Sequence, residues 1–541
     1  MVWWRIATLV CFIGCIALLY AAARQGNPSP SSGVDYSKLA ARISELLYTP
    51  MLRGTRYGVV IHALDRDTTI YAIGTQELLT PASLTKLYFT AAAFTTMGAD
   101  FPVRTLLATD GNIRNGVLEG NLYLIGHGDC LLRSTELEAL AEKIYALGIR
   151  RIQGSIIADA TYFDPVTDRQ QYSGDNERME DLPPISALGV DGNKFTVIVT
   201  RGSGNRVQVR TLPSSSAITV TWTPLPVRVP SSQPKQLYPR RRYRQRYGDR
   251  VLYRQRPRRA HRTSVIHPIR VSSSLRTDGI QEIRVVGTPP VNSSVSFAVT
   301  MLNPPLAAAG ALQRCLEASG ITIDGRVTTG SAPPTVKEIG GWQRLLRDIV
   351  AVCNKNSDNF AAEHLMKILG AYCCGNVSCN VNAYRTVVAM LDSAGIESNG
   401  CIFYDGSGLS RRNRITVSSL IGLLKYCARQ PWGELFFGTL AVAGEDGTLY
   451  RRMRHGEARG NLRAKTGTHR NVSGLAGIVR AANGERFLLA ALWNGNNVGI
   501  YKQLENQLGE LVASFGLVSP PAPSSNSDAS LPSSPASNNS R

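Results

Sequence analysis

Between residues 99 and 301 the pattern of apolar residues and turn residues differs from that of the segments on either side. This change constrains the fold more than any other feature. Short β-rich runs, such as residues 195–200, are separated by Gly, Asn, Ser and Pro, and one helical pattern covers residues 137–147. The flanking segments carry longer helical patterns and alternating strands. We therefore expect one domain built from residues 36–98 and 302–518, with an inserted mixed α/β region at 99–301 that holds one or two subdomains.

The flanking segments predict helices stacked on an antiparallel sheet. Residues 58–73 predict a β-hairpin, and Thr80 can cap a helix that has Pro81 at its first position and apolar residues from 84 to 94. The other predicted elements are helices at 305–319, 342–353, 360–372, 383–394 and 500–515, and strands at 472–480 and 487–493. The expected fold class is an α/β sandwich with a large insertion.

The two ends of the chain do not look like parts of a folded core. A nearly uncharged run at residues 6–23 ends in three alanines, which is the pattern of a secretory signal. We expect residues 1–23 to be a signal peptide and the chain to be exported to the periplasm or cell envelope. An uncleaved membrane anchor is the alternative, because about 18 residues lie at the short edge of a membrane span. Residues 24–35 predict a linker and residues 519–541 a disordered tail.

About half of the net charge of +20 lies in one loop, at residues 231–265. Between Arg240 and Arg262 there are eleven arginines and a single acid, Asp249, with tyrosines among them. Such a loop is either simply solvated or in contact with an anionic polymer or lipid of the cell envelope. Arginine and aromatic residues also suit single-stranded nucleic acid, but we expect no nucleic-acid partner for an exported chain.

Cysteine and histidine spacing gives no sign of a metal site. Outside the predicted signal eight of the ten cysteines remain, and none has zinc-ligand spacing. Cys373, Cys374 and Cys379 are close enough in sequence for an oxidising compartment to join two of them. The histidines likewise form no ligand motif. We expect neither a metal nor another cofactor.

Ser83 and Lys86 are the first pair of residues with a chemical interpretation. They stand three positions apart at the start of a predicted helix, so their side chains share one face. The lysine can take the proton of the serine only if it is neutral, which requires burial or a neighbouring cation. Taken alone the pair is weak evidence, because this spacing occurs about twice by chance in a chain of this length.

Two further short signals follow in the second half of the chain. Ser357-Asp358-Asn359 precedes a predicted helix, where it is either an ordinary cap or a proton relay at Ser357 with a substrate-binding amide at Asn359. Lys465-Thr466-Gly467 lies on a predicted strand, where it is either a simple strand end or a site that binds a carboxylate and a substrate backbone. The three signals occur in the order found in penicillin-interacting serine enzymes.

With these motifs the chain resembles the D-Ala-D-Ala carboxypeptidase/endopeptidase family known as low-molecular-mass class C penicillin-binding proteins, or peptidase S13. The resemblance spans about residues 36–518 and includes segments 122–129, 151–155, 184–188, 405–410, 443–449 and 473–477. It implies a penicillin-binding, serine β-lactamase-like sandwich of helices on an antiparallel sheet, with the insertion between the first and second motifs. About 270 residues separate Lys86 from Ser357, far more than in a β-lactamase.

The resemblance also implies a role for each motif residue. The implied roles are Ser83 as nucleophile, Lys86 as base, Ser357 as proton relay, Asn359 as substrate anchor, and Lys465 with Thr466 as the binders of the terminal carboxylate. The backbone N–H groups of Ser83 and Thr468 are the implied oxyanion hole, and Gly467 lets the substrate backbone lie against the strand. Asp159 resembles a position that faces the side-chain amine of a stem peptide.

The implied activity is hydrolysis of D-alanyl-D-alanine stem peptides or cross-links of peptidoglycan through an acyl-enzyme, with β-lactams as inhibitors. Carboxypeptidase and endopeptidase activity both remain open. The alternative is a catalytically weak scaffold that uses the same fold to bind cell-wall polymer.

Overall fold

The computed structural model describes residues 34–177, 180–203, 206–224 and 269–517. The predicted signal peptide, nearly all of the linker, the arginine-rich loop and the tail lie outside these residues. Within the described ranges no helix is long and apolar enough to cross a membrane.

The described chain contains eleven α-helices and twenty-one strands. The α-helices are α1 (Ser37–Leu47), α2 (Thr85–Met97), α3 (Ser134–Ala146), α4 (Arg169–Ser173), α5 (Pro304–Ala318), α6 (Leu346–Lys355), α7 (Asn359–Cys374), α8 (Cys379–Ser393), α9 (Val417–Arg429), α10 (Gly433–Gly438) and α11 (Val498–Ala513). The strands are β1 (Arg56–Ala63), β2 (Thr68–Ile73), β3 (Pro102–Thr109), β4 (Asn112–Arg114), β5 (Val117–Glu119), β6 (Leu122–Gly126), β7 (Arg151–Ile152), β8 (Ile156–Asp159), β9 (Lys194–Arg201), β10 (Val207–Leu212), β11 (Ile218–Thr223), β12 (Arg270–Leu275), β13 (Gln281–Val286), β14 (Ser293–Thr300), β15 (Thr322–Ile323), β16 (Val327–Thr329), β17 (Lys337–Leu345), β18 (Ala441–Val442), β19 (Leu462–His469), β20 (Val472–Arg480) and β21 (Arg486–Asn494).

A six-stranded antiparallel sheet with the order β18-β19-β20-β21-β1-β2 separates two helical layers. Strands β1, β20 and β21 are buried along most of their length because helices cover both faces. Successive side chains point to opposite faces, so Val60 joins the apolar cluster around α2 and α7, while Val59 and Ile61 join the cluster around α1 and α11. This three-layer arrangement holds both ends of the described chain together.

Most of the elements predicted in the flanking segments are confirmed. The hairpin is β1 and β2, the two late strands are β20 and β21, and the last predicted helix is α11. Helices α5, α7 and α8 lie within a few residues of the predicted ranges. Helix α9, which Thr416 caps by accepting a hydrogen bond from the backbone N–H of Ser419, was not predicted.

Two helix starts predicted from the sequence are wrong. Trp342 lies in strand β17, which pairs with β3, and α6 begins only at Leu346. Pro81 is not the first residue of a long helix, because Ala82 has a φ of 49° and a single 3₁₀ turn precedes α2. In both places long-range pairing or packing fixes a backbone conformation that local pattern does not reveal.

The inserted region contains its own sheets, with the orders β16-β8-β6-β3-β17, β15-β7-β5-β4, β10-β9-β14 and β11-β13-β12. Helix α5 and strands β15 to β17 follow residue 302, yet α5 packs into the apolar cluster of the insertion and the strands pair with β7, β8 and β3. We therefore propose that the inserted unit ends near residue 345 and not at the predicted boundary of 301.

All eight cysteines of the described residues are free thiols. Cys373 and Cys374 end α7, and Cys379 begins α8. The disulfide that the sequence allowed among these three is therefore absent from the structure.

Helices α7 and α8 approach each other closely at Gly370, and this contact gives a test of the packing. A Cβ atom at residue 370 would lie 1.7 Å from the carbonyl oxygen of Cys379. We predict that Gly370→Ala lowers the free energy of unfolding by about 1–3 kcal/mol, because the helices must separate. Urea unfolding measures the change.

Gly499→Ala is the matched control, since an added methyl group near the start of α11 meets open space. This variant should stay within about 1 kcal/mol of the wild type. Equal urea midpoints for the two variants would contradict the close approach of α7 and α8.

Candidate active site

Ser83 lies in the 3₁₀ turn Ala82–Leu84, immediately before α2. The left-handed backbone of Ala82 is unusual for a residue other than glycine and costs of the order of 1–3 kcal/mol. Strand β19 packs against this turn so closely that a Cβ atom at Gly467 would lie 2.7 Å from the carbonyl oxygen of Pro81. The glycine of the third motif therefore lets the strand contact the turn that carries the serine.

Lys86 is surrounded by three oxygen atoms from three distant parts of the chain. Its Nζ lies 3.0 Å from Ser83 Oγ and 2.7 Å from Asn359 Oδ1, and it also donates to the carbonyl oxygen of Ser407. The amide and carbonyl oxygens can only accept hydrogen bonds. A neutral amine fits this site, because its two N–H groups match those two acceptors and its lone pair then faces the hydroxyl of Ser83.

The electrostatic surroundings of Lys86 favour this neutral form. The side chain is fully buried, and burial lowers its pKa below the usual value. The Cys353 thiol and the carboxylates of Asp405 and Glu363 act in the opposite direction. Burial is the largest of these effects, so Lys86 can serve as a base.

Lys465 forms a similar arrangement with Ser357. Its Nζ donates to Ser357 Oγ at 2.7 Å and to the carbonyl oxygen of Thr466 at 2.9 Å. Burial, and then the positive charge of Lys86, hold the pKa of Lys465 well below its usual value. Burial also raises the pKa of the Cys353 thiol to about 12, and both lysines oppose that rise. The two serine–lysine pairs therefore lie within electrostatic range of one another.

A third fully buried lysine shows what a structural lysine looks like in this protein. Lys367 forms an ion pair with Asp164 at 2.6 Å. In the described part of the chain neither Lys86 nor Lys465 has such a partner, and their hydrogen bonds go to neutral oxygens. A buried ammonium without an acidic partner is energetically costly, so the neutral amine is favoured at Lys86 and Lys465. This distinguishes the two lysines from a structural lysine such as Lys367.

In the second motif one residue caps a helix and its two neighbours contact the buried lysines. Asp358 caps α7 by accepting a hydrogen bond from the backbone N–H of Ala361 at 2.8 Å. Ser357, with a φ of 59°, and Asn359 instead direct their side chains to Lys465 and Lys86. The amide Nδ2 of Asn359 donates to the carboxylate of Glu180, while Oδ1 accepts from Lys86. These two contacts are consistent with a single orientation of the amide.

Strand β19 presents a free edge beside the third motif. It pairs with β20 along its whole length, but its pairing with β18 covers only Arg463 and Ala464. Among the described residues no strand pairs with that edge at Thr466, Gly467 or Thr468, where an extended peptide can add its backbone. The Thr466 hydroxyl donates to Thr448 Oγ1 at 2.9 Å, and Thr468 is exposed.

A buried charged network holds the loop at residues 405–410, whose Ser407 carbonyl contacts Lys86. Glu363 accepts hydrogen bonds from the backbone N–H of Ser407 at 2.9 Å and of Gly406 at 3.3 Å. Asp405 accepts from the backbone N–H groups of Gly408 and Ser410 and forms an ion pair with Arg169 at 3.0 Å. This network therefore holds the Ser407 carbonyl oxygen in position to accept a hydrogen bond from Lys86.

Sequence reasoning missed this network. Its one local signal is Glu363, which stands four positions after Asn359 on the same face of α7 and is fully buried. Burial and the charge of Asp405 raise the pKa of Glu363 to about 6. The position of Glu363, one helical turn after Asn359, is therefore the feature of the sequence that indicates the network.

Asp159 lies apart from these hydrogen bonds. Its Oδ1 accepts from the backbone N–H of Thr161 at 2.8 Å and from the Thr161 hydroxyl at 2.7 Å, and its Oδ2 accepts from the backbone N–H of Ala332 at 2.7 Å. Both oxygens thus hold the inserted region together. The assignment of Asp159 to the amine of a stem peptide stays a prediction, and its contacts favour a structural role.

Comparison with known proteins agrees with this geometry. The chain matches the D-Ala-D-Ala carboxypeptidase 3 (S13) family over residues 39–236 and 254–514. It is 30% identical over 473 residues to a D-alanyl-D-alanine carboxypeptidase of Actinomadura sp. (strain R39), covering 84% of this chain and 81% of that protein. It is 24% identical over 453 residues to the D-alanyl-D-alanine carboxypeptidase DacB of Haemophilus influenzae, covering 82% of this chain and 87% of that protein.

Among solved structures, penicillin binding protein 4 from Haemophilus influenzae has the same fold. The likeness has a TM-score of 0.63 at 21% identity and covers 87% of this chain and 99% of that chain. The structure of the same protein complexed with a β-lactam has a TM-score of 0.61 at 22% identity, with the same coverage. The predicted fold class is confirmed.

Replacing Glu363 tests how the network acts on Lys86. The negative charge of Glu363 raises the pKa of Lys86, and Lys86 acts as a base only when neutral. Removing the charge with Glu363→Gln should lower the pKa of Lys86 further. We predict that the acid limb of the rate–pH profile for acylation by a fluorescent penicillin moves to lower pH, measured between about pH 5 and 9.

The exposed Glu138→Gln on α3 is the control and should leave the acid limb in place. A limb that moves to higher pH, or that does not move in Glu363→Gln, would contradict this electrostatic role.

A methyl group at position 467 tests the contact between β19 and the serine turn. In Gly467→Ala the new Cβ meets the carbonyl oxygen of Pro81, so the strand and the turn must move apart. We predict a loss of about 10²-fold in the rate constant of acylation. Gly438→Ala, where the added methyl meets open space, should react as the wild type does. A rate within about threefold of the wild type for Gly467→Ala would show that the contact is unimportant.

Proposed function

The chain belongs to the D-Ala-D-Ala carboxypeptidase 3 (S13) family, and from this membership we propose that it is a serine D-alanyl-D-alanine carboxypeptidase/endopeptidase acting on peptidoglycan. One observation gives the main support for the proposed catalytic mechanism. Lys86 Nζ lies 3.0 Å from Ser83 Oγ, in a buried site whose other two contacts are hydrogen-bond acceptors. This arrangement suits a neutral amine that removes the serine proton.

In the proposed first step Ser83 Oγ attacks the carbonyl carbon of the penultimate D-alanine while Lys86 takes the hydroxyl proton. The backbone N–H groups of Ser83 and Thr468 stabilise the negative oxygen that forms. The C–N bond of the substrate then breaks, and the proton that Lys86 took passes through Ser357 to the leaving amine, so Lys86 is neutral again. The products are an ester on Ser83 and either free D-alanine or the amine of a released cross-link.

In the second step water hydrolyses the ester. Lys86 takes a proton from the water, the hydroxyl attacks the ester carbonyl, and Ser83 leaves with a proton returned by the lysine. At the end of this step Lys86 is neutral and the hydroxyl of Ser83 is restored. A β-lactam carbonyl attacked by the same serine gives an ester that blocks the site, which explains why penicillins are expected to inhibit.

The terminal carboxylate of the substrate is proposed to bind at Lys465 and Thr466. Lys465 is buried without an acidic partner among the described residues, so an arriving carboxylate supplies the charge that favours its ammonium form. Gly467 leaves room for the peptide, and the free edge of β19 offers backbone hydrogen bonds near Thr468. Asn359 is proposed to bind the peptide group on the other side of the scissile bond.

A catalytically weak scaffold is the less suitable alternative. Binding alone does not need two buried lysines that lack acidic partners among the described residues, whereas Lys367 shows that this fold can pair a buried lysine with an acid. The arginine-rich loop, on which a wall-binding scaffold would depend, lies outside the described residues. Contact of that loop with an anionic envelope polymer stays a prediction.

The proposed substrate lies outside the cytoplasm, which supports export of the chain. The predicted signal peptide and the alternative membrane anchor both fall outside the described residues, and both stay predictions.

Replacing the serine tests the proposed function directly. We predict that the full chain forms a covalent adduct with a fluorescent penicillin on the peptide that contains Ser83, and that Ser83→Ala forms none. Release of D-alanine from a synthetic stem peptide should fall at least about 10⁴-fold in this variant. Denaturing gels and peptide mapping measure the adduct.

Ser393→Ala at the end of α8 is the control, because among the described residues the Ser393 hydroxyl donates to the carbonyl of Met390, within its own helix. It should label like the wild type. An adduct that persists in Ser83→Ala would mean that another residue is the nucleophile.

A further inference from the structure

A cavity of about 410 Å³ lies in the segment that connects β18 to β19. Its lining residues are Gly444, Glu445, Tyr450, Arg454, His455 and Arg459. The volume is in the range of cavities that hold small ligands. None of these residues belongs to the three motifs.

Two arginines at the cavity form no ion pair within the described part of the protein. Arg454 and Arg459 take part in none of the ion pairs or side-chain hydrogen bonds formed among the described residues, and both are exposed. Arg452, on the same segment, is by contrast bound to Glu505 at 2.7 Å and to Asn506 at 2.8 Å. The segment therefore uses one arginine for structure and leaves two guanidinium groups at the cavity, where they can bind an anion.

The cavity lies close to the edge of β19 where the substrate is proposed to bind. The backbone N–H of Ala443 donates to the carbonyl of Leu462 at 2.9 Å, which ties the start of the segment to β19. Further along, Thr448 accepts the hydrogen bond of the Thr466 hydroxyl. Tyr450 is two residues beyond Thr448, so the Cα atoms of these two are at most about 7 Å apart. Tyr450, which lines the cavity, is therefore a near neighbour in the chain of the residue that contacts Thr466.

We propose that this cavity is a subsite that binds a carboxylate of the peptidoglycan peptide beyond the part held by β19. The proposal rests on the proposed function. Arg454 and Arg459 bind the carboxylate, the carboxylate of Glu445 accepts a peptide N–H, and the ring of Tyr450 covers the apolar part of the peptide. Glu445 disfavours a polyphosphate, because it would repel a ligand with repeated negative charges and no hydrogen-bond donor.

Binding to the full chain carrying Ser83→Ala tests the subsite without turnover. The probes are a soluble cross-linked stem-peptide dimer with free carboxylates and the same dimer amidated at every carboxylate except the one beside the scissile bond, which is proposed to bind at Lys465 and Thr466. We expect the parent to bind the free dimer about 10- to 100-fold more tightly than the amidated one. Adding Arg454→Gln with Arg459→Gln should remove this preference, while binding of the amidated dimer stays the same.

Arg451→Gln is the matched control, because Arg451 is exposed on the same segment and does not line the cavity. It should retain the preference of the parent for the free dimer. Equal urea midpoints for all variants show that the losses do not come from unfolding.

Three results would overturn the subsite: a parent that binds both dimers equally, a double variant that retains the preference, or arginine-dependent binding of poly(glycerol phosphate) but not of the dimer. Failure of the proposed function looks different, since the chain with an intact Ser83 would then form no penicillin adduct.

Discussion

The burial of Lys86 without an acidic partner among the described residues is the constraint on which the rest of the site depends. Its three oxygen neighbours come from the turn of Ser83 and from two segments more than 270 residues later in the chain, the start of α7 and the loop at residues 405–410. The fold must therefore bring these segments to one point while keeping water away from the amine. The sheet, the buried helices α2 and α7, and the inserted unit between their sequences together meet this requirement.

Several locally unfavourable features are concentrated around this lysine. Ala82 and Ser357 adopt left-handed backbone conformations, and Glu363, Asp405 and Arg169 are charged groups placed in the interior. Each destabilises the fold taken alone. Together they fix the serine, its base and the Ser407 carbonyl, so the surrounding core must supply the stability that the site itself does not.

The sequence predicts the residues that carry out the chemistry better than the residues that hold them in position. Ser83 and Lys86 stand out because catalysis requires them at a short spacing on one helix, and β20 stands out because its alternation is local. The Ser407 carbonyl carries no such signal, since every residue has one. Trp342 was assigned to a helix because its neighbours carry a helical pattern, whereas pairing of β17 with a strand more than 200 residues earlier fixes it as extended. Asp159 resembles a substrate-binding position, but Ala332 satisfies one of its oxygens from far along the chain.

The most direct test of this account is the pKa of Lys86 itself, measured by NMR titration of lysine-labelled protein, with Lys86→Gln used to assign the signal. The account predicts that Lys86 in the free enzyme titrates below the usual lysine value of 10.5, apart from the exposed lysines. A Lys86 signal that titrates together with the exposed lysines would contradict the claim that burial prepares this amine to act as a base.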